Sequence, residues 1–387
     1  MLLFANTDWY LYNFRRSLAM TLRAAGHEVV LVSPPGQYGE KLEALGFRWL
    51  SVPMVRRSLN PVRELRLVRT ITRLIRREQV DLVHCFTIKC AIYGSIASLM
   101  SGRSETRPSR VNTVAGLGYV FTSDDWRARV LRPFVLRLLR VALGGERARL
   151  ILQNDEDAAL FQRARLVDST LVRIIPGSGV DLSKFNANTV PGQELASKIR
   201  VLLPARMLWD KGVAEFVEAA RLLTVAGRPI EFLLAGAPDA GNPASVPEAI
   251  LRRWVLEGPV QWLGHVEDMP ALFQSVDVVV LPSYREGLPK GLIEAGACAL
   301  PLITTDVPGC RAVVTHEVDG LLVPVRDPHG LARAIARLQD EPQLRARLGA
   351  AARAKAFAVF DERIVDRLTL AVYKELVLPA TPRCSLA

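Results

Sequence analysis

The feature that most constrains this chain is the alternation of short apolar segments with longer amphipathic ones, repeated in two series. In the first series, a β-branched run at 28–33 follows a segment at 13–25 whose apolar residues recur at helical spacing. A second series of the same kind begins near residue 200. Strands that alternate with helices form parallel sheets, because each helix returns the chain to the start of the next strand. The pattern therefore predicts an α/β fold with two doubly wound parallel sheets.

A stretch that breaks the alternation separates the two series. Residues 186–194 include Asn188, Pro191 and Gly192, which are typical of a linker. A length of 387 residues also exceeds what one hydrophobic core usually serves. We predict an N-terminal domain at 1–185 that a C-terminal helix at 360–378 completes, a linker at 186–199, and a C-terminal domain at 200–359.

Charge and cysteine content limit the classes of partner and compartment. The formal net charge of +11 comes mostly from arginine and favours acidic partners, whether nucleic acid, anionic lipid or a phosphorylated substrate. The five cysteines form no CxxC pair, so we expect reduced thiols in a cytosolic protein. We expect no signal peptide, and no apolar run reaches the roughly 18 uncharged residues of a membrane span. These features indicate a soluble or peripheral protein.

The segment 283–294 has the strongest chemical content. It follows an apolar run at 276–281 and leads into a predicted helix at 292–300, so it lies where open parallel sheets bind ligands. Gly287 permits a tight turn and Pro289 suits a first helical position, which would aim free amides at an anion. Glu286 and Glu294 bracket this turn, and carboxylates accept hydrogen bonds from sugar hydroxyls. The alternative is that Glu286 is an ordinary loop acid and Glu294 a solvated helix residue.

Two cations occupy the corresponding turn after the first strand of the second series. Arg206 and Lys211 lie within the segment 204–212, just before a predicted helix that begins at Val213. An arginine fork and a lysine point charge together suit a diphosphate, although either cation alone is more often a surface residue. Together with the two glutamates, the cations favour a sugar nucleotide, whose diphosphate lies between two polyols.

Two segments of the first series are rich in arginine. At 126–143, Arg129, Arg132, Arg137 and Arg140 fall within an arc of about 140° on a helix, and apolar residues cover most of the rest. Such a segment can lie in an anionic membrane interface, or it can pack on the sheet with a charged outer face. The arginines of 62–78 are interpreted as a solvated helix face.

The combination of Arg206, Lys211-Gly212, Glu286-Gly287-Leu288-Pro289 and Glu294 resembles the family 4 glycosyltransferases. These are retaining enzymes of the GT-B fold, in which two Rossmann-like doubly wound parallel-sheet domains face a central cleft. Segments at 5–9, 86–89, 116–121, 153–154 and 177–181 resemble a bacterial subgroup. That subgroup adds N-acetylgalactosamine or a related sugar to a polyprenyl-diphosphate-linked saccharide, in polysaccharide or glycoprotein-glycan assembly.

The resemblance implies roles for the residues of the second series. Arg206 and Lys211 would neutralise the diphosphate and stabilise the leaving UDP, and Glu286 would hold hydroxyls of the transferred sugar. Glu294 would bind the ribose. The remaining donor-site residues would contribute mainly backbone contacts, His265 and Val266 to the base and the others to phosphate and sugar: Gly287, Leu288, Pro289 and Lys290.

The resemblance also implies the acceptor side and the conditions of the reaction. The acceptor would meet Asn6, Thr7, Lys89, Gly116 and Gly118, at a cytoplasmic protein held peripherally on the inner face of the cell membrane. Many family 4 enzymes have a functional histidine after a middle strand of the first domain, where this chain has Ala115-Gly116-Leu117-Gly118, so we assign no catalytic histidine. In the retaining family the donor phosphate would take the acceptor proton, which fits the absence of an evident general base. Because no D-x-D follows a strand, we predict no required metal and no cofactor.

Two other functions remain open at this point. A UDP-N-acetylhexosamine epimerase has the same architecture, but the basic amphipathic segment and the resemblance in the first series count against it. A non-catalytic basic protein that binds lipid or nucleic acid is supported by charge alone. We predict no nucleic-acid partner, because the sequence has no nucleic-acid motif and no platform of stacking aromatic residues.

Overall fold

The computed structural model describes residues 1–55, 58, 60–103, 106–114, 126–186, 198–239 and 241–376, with the backbone alone at 126–131. Contacts divide the chain into two compact units. Unit 1 comprises Met1–Gly179 and Glu362–Ala387, and unit 2 comprises Val180–Asp361. The boundary lies earlier than the predicted residue 185. Val180 belongs to unit 2 because its amide donates to the Phe360 carbonyl at 2.9 Å and its side chain joins the core of that unit.

Unit 1 contains a seven-stranded parallel sheet with the order β3-β2-β1-β4-β5-β6-β7. The strands are β1 Leu2–Phe4, β2 Val30–Ser33, β3 Arg48–Ser51, β4 Leu82–Phe86, β5 Ser109–Thr113, β6 Ala148–Leu152 and β7 Val172–Ile174. The helices are α1 Asp8–Phe14, α2 Arg16–Ala24, α3 Gly39–Ala44, α4 Pro61–Arg77, α5 Ile88–Met100, α6 Trp126–Leu143 and α7 Asp155–Arg163. The central strands are buried on both faces, as their continuous apolar runs require.

The single helix predicted at 13–25 is wrong. The structure has two helices, α1 and α2, separated at Arg15, whose backbone angles of φ −131° and ψ 2° interrupt the helix. The Arg15 side chain is buried, with its guanidinium 4.3 Å from the centre of the Phe86 ring. Helix α1 begins at Asp8, where the Thr7 hydroxyl accepts a hydrogen bond from the Tyr10 amide.

Unit 2 contains a six-stranded parallel sheet with the order β10-β9-β8-β11-β12-β13. The strands are β8 Ile199–Pro204, β9 Ile230–Ala235, β10 Val260–Trp262, β11 Val278–Leu281, β12 Leu302–Thr305 and β13 Leu321–Val323. The helices are α8 Val213–Val225, α9 Glu248–Glu257, α10 Met269–Gln274, α11 Lys290–Ala297, α12 Pro308–Val313, α13 Pro328–Asp340 and α14 Pro342–Val359. With both sheets parallel, the predicted architecture of two doubly wound α/β units is confirmed.

The last described helix, α15 Glu362–Lys374, returns to unit 1. Its buried Asp366 carboxylate accepts hydrogen bonds from the Ser17 and Thr21 hydroxyls of α2, at 2.7 and 3.0 Å. Its buried Tyr373 hydroxyl lies 2.5 Å from Nδ1 of His84 on β4. These polar contacts fix the register of α15 on the sheet. None of the helices in the described ranges is long and apolar enough to cross a membrane.

Candidate functional site

The two predicted turns of unit 2 follow neighbouring strands. Val278 of β11 pairs with Val201 of β8 in parallel, so both strands end at the same edge of the sheet. The strand order reverses here, because β8 lies between β9 and β11. Open parallel sheets bind ligands at such a switch point, beyond the carboxyl ends of the strands.

Lys211 and Glu286 form an ion pair between the two turns. The Lys211 Nζ lies 2.5 Å from the Glu286 Oε1, and the side chains are only 17% and 11% exposed. The same Oε1 accepts a hydrogen bond from the Ser283 hydroxyl at 2.6 Å. Glu286 is therefore held in place, and the alternative of a freely solvated loop acid does not describe it.

Gly212 allows the two turns to approach closely. Its φ of +70° lies in the left-handed region, and a Cβ there would stand 2.1 Å from the Pro282 carbonyl oxygen. Next to this contact, the Tyr284 amide donates to the Asp210 carbonyl at 2.8 Å. A side chain at position 212 would separate the turns, so the glycine is a geometric condition for the Lys211–Glu286 pair.

Tyr284 connects the turn after β11 to α8. Its hydroxyl donates to Glu215 Oε1 at 2.6 Å, and the Arg326 guanidinium lies 4.6 Å from the centre of its ring. Burial and the Glu215 carboxylate raise the pKa of Tyr284 to about 12, so the phenol stays a hydrogen-bond donor at neutral pH. The other Glu215 oxygen is buried and has no hydrogen-bond partner among the described residues. Among the described residues, the Tyr284 hydroxyl is therefore the hydrogen-bond donor that the Glu215 carboxylate relies on.

The end of β12 and the start of α12 contact the backbone of the turn that contains Glu286. The Thr305 hydroxyl donates to the Ser283 carbonyl. At the start of α12, a Cβ on Gly309 would stand 2.4 Å from the Glu286 carbonyl oxygen and 2.5 Å from that of Gly287. Burial raises the pKa of the neighbouring Cys310 to about 11, which keeps its thiol protonated and weakly reactive.

Helix α11 differs from the prediction at its start. It begins at Lys290, and Pro289 is the residue before it, because a ψ of 98° is extended. The Pro289 carbonyl accepts the amides of Leu292 and Ile293, so these two amides do not form the predicted open anion site. Glu294 lies one turn along, 3.6 Å from the Lys290 ammonium. Burial raises its pKa, so Glu294 is not the solvated helix residue of the alternative interpretation.

The other predicted donor-site residues lie at the same sheet edge but are less constrained. Arg206 is 57% exposed, and its guanidinium is 2.7 Å from Asp239. His265 follows β10 and is exposed. Val266 is half-buried and, like Leu288, packs against the core of unit 2. The structure thus joins Lys211 directly to Glu286 and places Arg206 in a different ion pair.

Two of the predicted acceptor residues of unit 1, Thr7 and Lys89, have structural partners within that unit. Thr7 caps α1, and Asn6 precedes it in the turn between β1 and α1. The Lys89 ammonium donates to the carbonyls of Val55 and Ser58 at 2.8 and 3.0 Å and to Glu64 at 3.0 Å. Its charge is therefore largely satisfied within the unit. Gly116 and Gly118 lie outside the described residues.

The arginines predicted at a membrane occupy different environments on α6. Arg140 donates to the carbonyls of Arg165 and Ala164 at 3.0 and 3.3 Å. Arg137 is exposed, and Arg132 is half-buried. The Arg129 side chain lies outside the described part of the chain. Arg140 thus has a clear structural role within unit 1.

Sequence reasoning missed four residues that shape the site: Ser283, Tyr284, Glu215 and Gly309. Ser283 and Tyr284 stand inside the motif but received no role. No sequence pattern marks Glu215 or Gly309 as part of the site, since their contacts join segments far apart in the chain. Gly212 is marked by its position, because a glycine between a lysine and a helix start is typical of a close backbone approach at a ligand-binding turn.

Two doubly wound parallel-sheet units, of seven and six strands, are the architecture of the GT-B fold. A family model described as "Glycosyl transferase 4-like" matches residues 1–154, and one described as "Glycosyl transferases group 1" matches residues 198–341. The chain belongs to this glycosyltransferase family.

Similar proteins agree with that assignment. A Campylobacter jejuni enzyme, N,N'-diacetylbacillosaminyl-diphospho-undecaprenol alpha-1,3-N-acetylgalactosaminyltransferase, is 28% identical over 95% of this chain and 96% of its own. An Escherichia coli enzyme, UDP-Gal:alpha-D-GlcNAc-diphosphoundecaprenol alpha-1,3-galactosyltransferase, is 28% identical over 76% of this chain and 75% of its own. The structure of Anabaena HepE with UDP and glucose has a TM-score of 0.74 at 20% identity, covering 96% of this chain and 99% of HepE. That likeness supports the fold.

Proposed function

We propose that this protein is a retaining glycosyltransferase. It transfers a sugar, an N-acetylhexosamine, from a UDP-sugar to a polyprenyl-diphosphate-linked saccharide during assembly of a cell-surface or glycoprotein glycan. The observation that carries the proposal is the Lys211–Glu286 pair at the switch point of unit 2, in a chain similar along 95% of its length to an N-acetylgalactosaminyltransferase with a lipid diphosphate acceptor.

The geometry of the pair supports separate roles for its members. Both described contacts of the Glu286 carboxylate go to Oε1, so Oε2 is the atom we assign to a hydroxyl of the transferred sugar. Lys211 supplies a poorly solvated positive charge for the leaving diphosphate, where charge develops as the glycosidic bond breaks. Arg206, which is more exposed, adds a second cation at the same edge.

Residues of α11 and of the loop after β10 complete the donor site in this proposal. Glu294 accepts ribose hydroxyls, because a carboxylate removed from water forms strong hydrogen bonds. His265 and Val266 contact the base. The backbone from Gly287 to Lys290 contacts phosphate and sugar.

The rest of the proposal concerns the acceptor and the reaction conditions. Unit 1 binds the acceptor near Asn6, Thr7 and Lys89, together with Gly116 and Gly118, and the protein lies peripherally on the inner face of the cell membrane. The donor phosphate takes the acceptor proton. Lys211 and Arg206 take the charge-neutralising role that a metal ion has in other transferases, so the reaction is metal-independent.

A transfer assay tests the proposal. Purified protein receives radiolabelled UDP-N-acetylhexosamines and a polyprenyl-diphospho-sugar, and label should move into the lipid fraction. Glu286→Ala should lower transfer by at least about 100-fold. Glu257→Ala, which removes an exposed carboxylate of the same unit, is the matched control and should retain activity. Release of an epimerised UDP-sugar without lipid labelling would instead identify an epimerase.

A further inference from the structure

The outer face of α4 is a row of arginines. The inner face of this helix contributes Leu67, Val68, Ile71 and Ile75 to the core of unit 1. At about 100° per residue, the arginines of the helix fall within an arc of about 140° on the opposite side. They are Arg63, Arg66, Arg69, Arg73, Arg76 and Arg77.

Two of the six arginines have partners in the fold. Arg77 pairs with Glu78 at 2.8 Å, and Arg76 donates to the carbonyls of Met100 and Ser101 at 2.7 and 2.8 Å. The acid of the helix itself, Glu64, is buried and pairs with Lys89.

The other four, Arg63, Arg66, Arg69 and Arg73, are exposed, and none forms an ion pair within the described residues. They extend along about 15 Å of the helix, at 1.5 Å per residue. Like charges at this spacing repel one another on a helix surface. The row is therefore a concentrated positive surface whose charge the described fold does not neutralise.

Two apolar side chains stand on the same face. Val62 is 58% exposed and Leu65 is 46% exposed, next to the guanidinium groups. A bilayer surface offers phosphates to the arginines and an acyl boundary to these apolar groups at the same depth. Single-stranded nucleic acid would call for stacking aromatic residues, and α4 has none. The face fits an anionic lipid surface better.

Helix α6 lies on the same side of the sheet, because α5 packs between it and α4. Its Phe134 and Val141 are exposed, and so is Arg137. Among the described side chains, α4 has four exposed arginines that form no ion pair, whereas Arg140 of α6 donates to backbone carbonyls.

We propose that the outer face of α4 binds the anionic surface of a lipid bilayer through Arg63, Arg66, Arg69 and Arg73. The inference rests on the proposed function only in that a lipid-linked acceptor explains why the protein would meet a membrane. Vesicle binding is measured without donor or acceptor, so it can succeed where sugar transfer fails.

The test is sedimentation of the full chain with vesicles of phosphatidylcholine alone or mixed with phosphatidylglycerol. Wild type should bind the mixed vesicles, and added salt should weaken the binding. Replacing the four arginines by glutamine should lower the affinity by about three orders of magnitude, because each basic residue near an anionic surface contributes about 1 kcal/mol. Replacing the same four arginines by lysine should keep the vesicle affinity within a few-fold of wild type, because the positive charge is retained. Both variants change the side chains of the helix surface, so a difference between them reports the charge alone.

A charge-matched control separates a local surface from net charge. It replaces four arginines of unit 2 that are exposed or partly exposed by glutamine and should bind as wild type does: Arg221, Arg252, Arg253 and Arg333. Equal losses in the control and the α4 variant would overturn the proposal. So would unchanged binding in the α4 glutamine variant, or an α4-dependent affinity for single-stranded nucleic acid with no affinity for vesicles. Circular dichroism checks that all variants are folded.

Discussion

Gly212→Ala should destabilise unit 2 and disable the site, because the glycine sits where two turns touch. The φ of +70° is unfavourable for alanine, and the new Cβ would lie 2.1 Å from the Pro282 carbonyl oxygen. That oxygen belongs to the backbone directly after β11, so no side chain can rotate to relieve the overlap. The turn with Lys211 must move away from the turn with Glu286.

The size of the effect follows from two contributions. A left-handed alanine costs about 1–2 kcal/mol. The overlap forces a backbone shift of the kind that costs about 1–3 kcal/mol in packed interiors. We therefore expect the free energy of unfolding to fall by about 2–5 kcal/mol and the rate of sugar transfer to fall with it.

Gly227→Ala is the matched control, because it lies at the other end of α8 with the same φ of +70° and nothing within 4 Å of the new Cβ. It should cost only the backbone contribution of about 1–2 kcal/mol and leave transfer unchanged. Urea unfolding and the transfer assay compare the two variants. Equal stability losses, or wild-type transfer by the Gly212 variant, would refute the reasoning.

Three further predictions concern charge. Lys211→Met should lower the transfer rate by about 10²–10³-fold in a single-turnover assay. Glu294→Gln should raise the melting temperature at pH 7 and weaken UDP binding in calorimetry. Burial raises the pKa of Glu294, so the stability that its protonated form contributes is lost as pH rises through that pKa. A neutral glutamine removes this loss at pH 7. Burial, and the charge of Arg15, hold the pKa of His84 well below its usual range, so the unfolded chain takes up a proton first as pH falls. Unfolding free energy should drop below about pH 6.5, by up to about 1.4 kcal/mol per pH unit, and His84→Asn should remove this slope.

The outcomes that contradict these predictions are specific. Lys184→Met, which removes an exposed lysine from an ion pair in the same unit, is the control for Lys211, and similar transfer by both variants would exclude the assigned role. Equal melting temperatures of Glu294→Gln and wild type at pH 7 would show that the carboxylate is well solvated. A pH slope that survives in His84→Asn would belong to another group.

The strands and most helices were predictable because burial imposes a period on the sequence. The β-branched run before Ser283 favoured a buried strand, which the structure confirms as β11, and the glutamates, glycine and proline after it predicted a ligand-binding turn. Where the prediction was wrong, a local backbone choice overrode the period. At Arg15 the helix is interrupted and the buried guanidinium lies over the Phe86 ring, a contact that hydrophobic periodicity does not predict.

Contacts across the site were beyond prediction for a different reason. Lys211 and Glu286 are 75 residues apart in the chain, and this separation in sequence does not predict the distance between their side chains. Adjacency of β8 and β11 follows from the fold, but the 2.5 Å contact depends on Gly212 and Gly309, which admit close backbone approach. Tyr284 is similar: the motif shows the tyrosine, whereas its hydrogen bond to Glu215 arises only when the turn packs on α8.

The Lys211–Glu286 pair also has a consequence for the order of binding events under the proposed function. Each member is the main electrostatic partner of the other, and both are largely shielded from water. A diphosphate that attracts Lys211 weakens the contact of Lys211 with Oε1 of Glu286, which then keeps only the Ser283 hydroxyl there and offers Oε2 to a sugar hydroxyl. A largely buried carboxylate without its lysine partner raises the free energy of the complex unless a sugar hydroxyl donates a hydrogen bond to it. Binding of the diphosphate and binding of the sugar are therefore coupled, so a whole UDP-sugar should bind more tightly than independent contributions of UDP and free sugar would give.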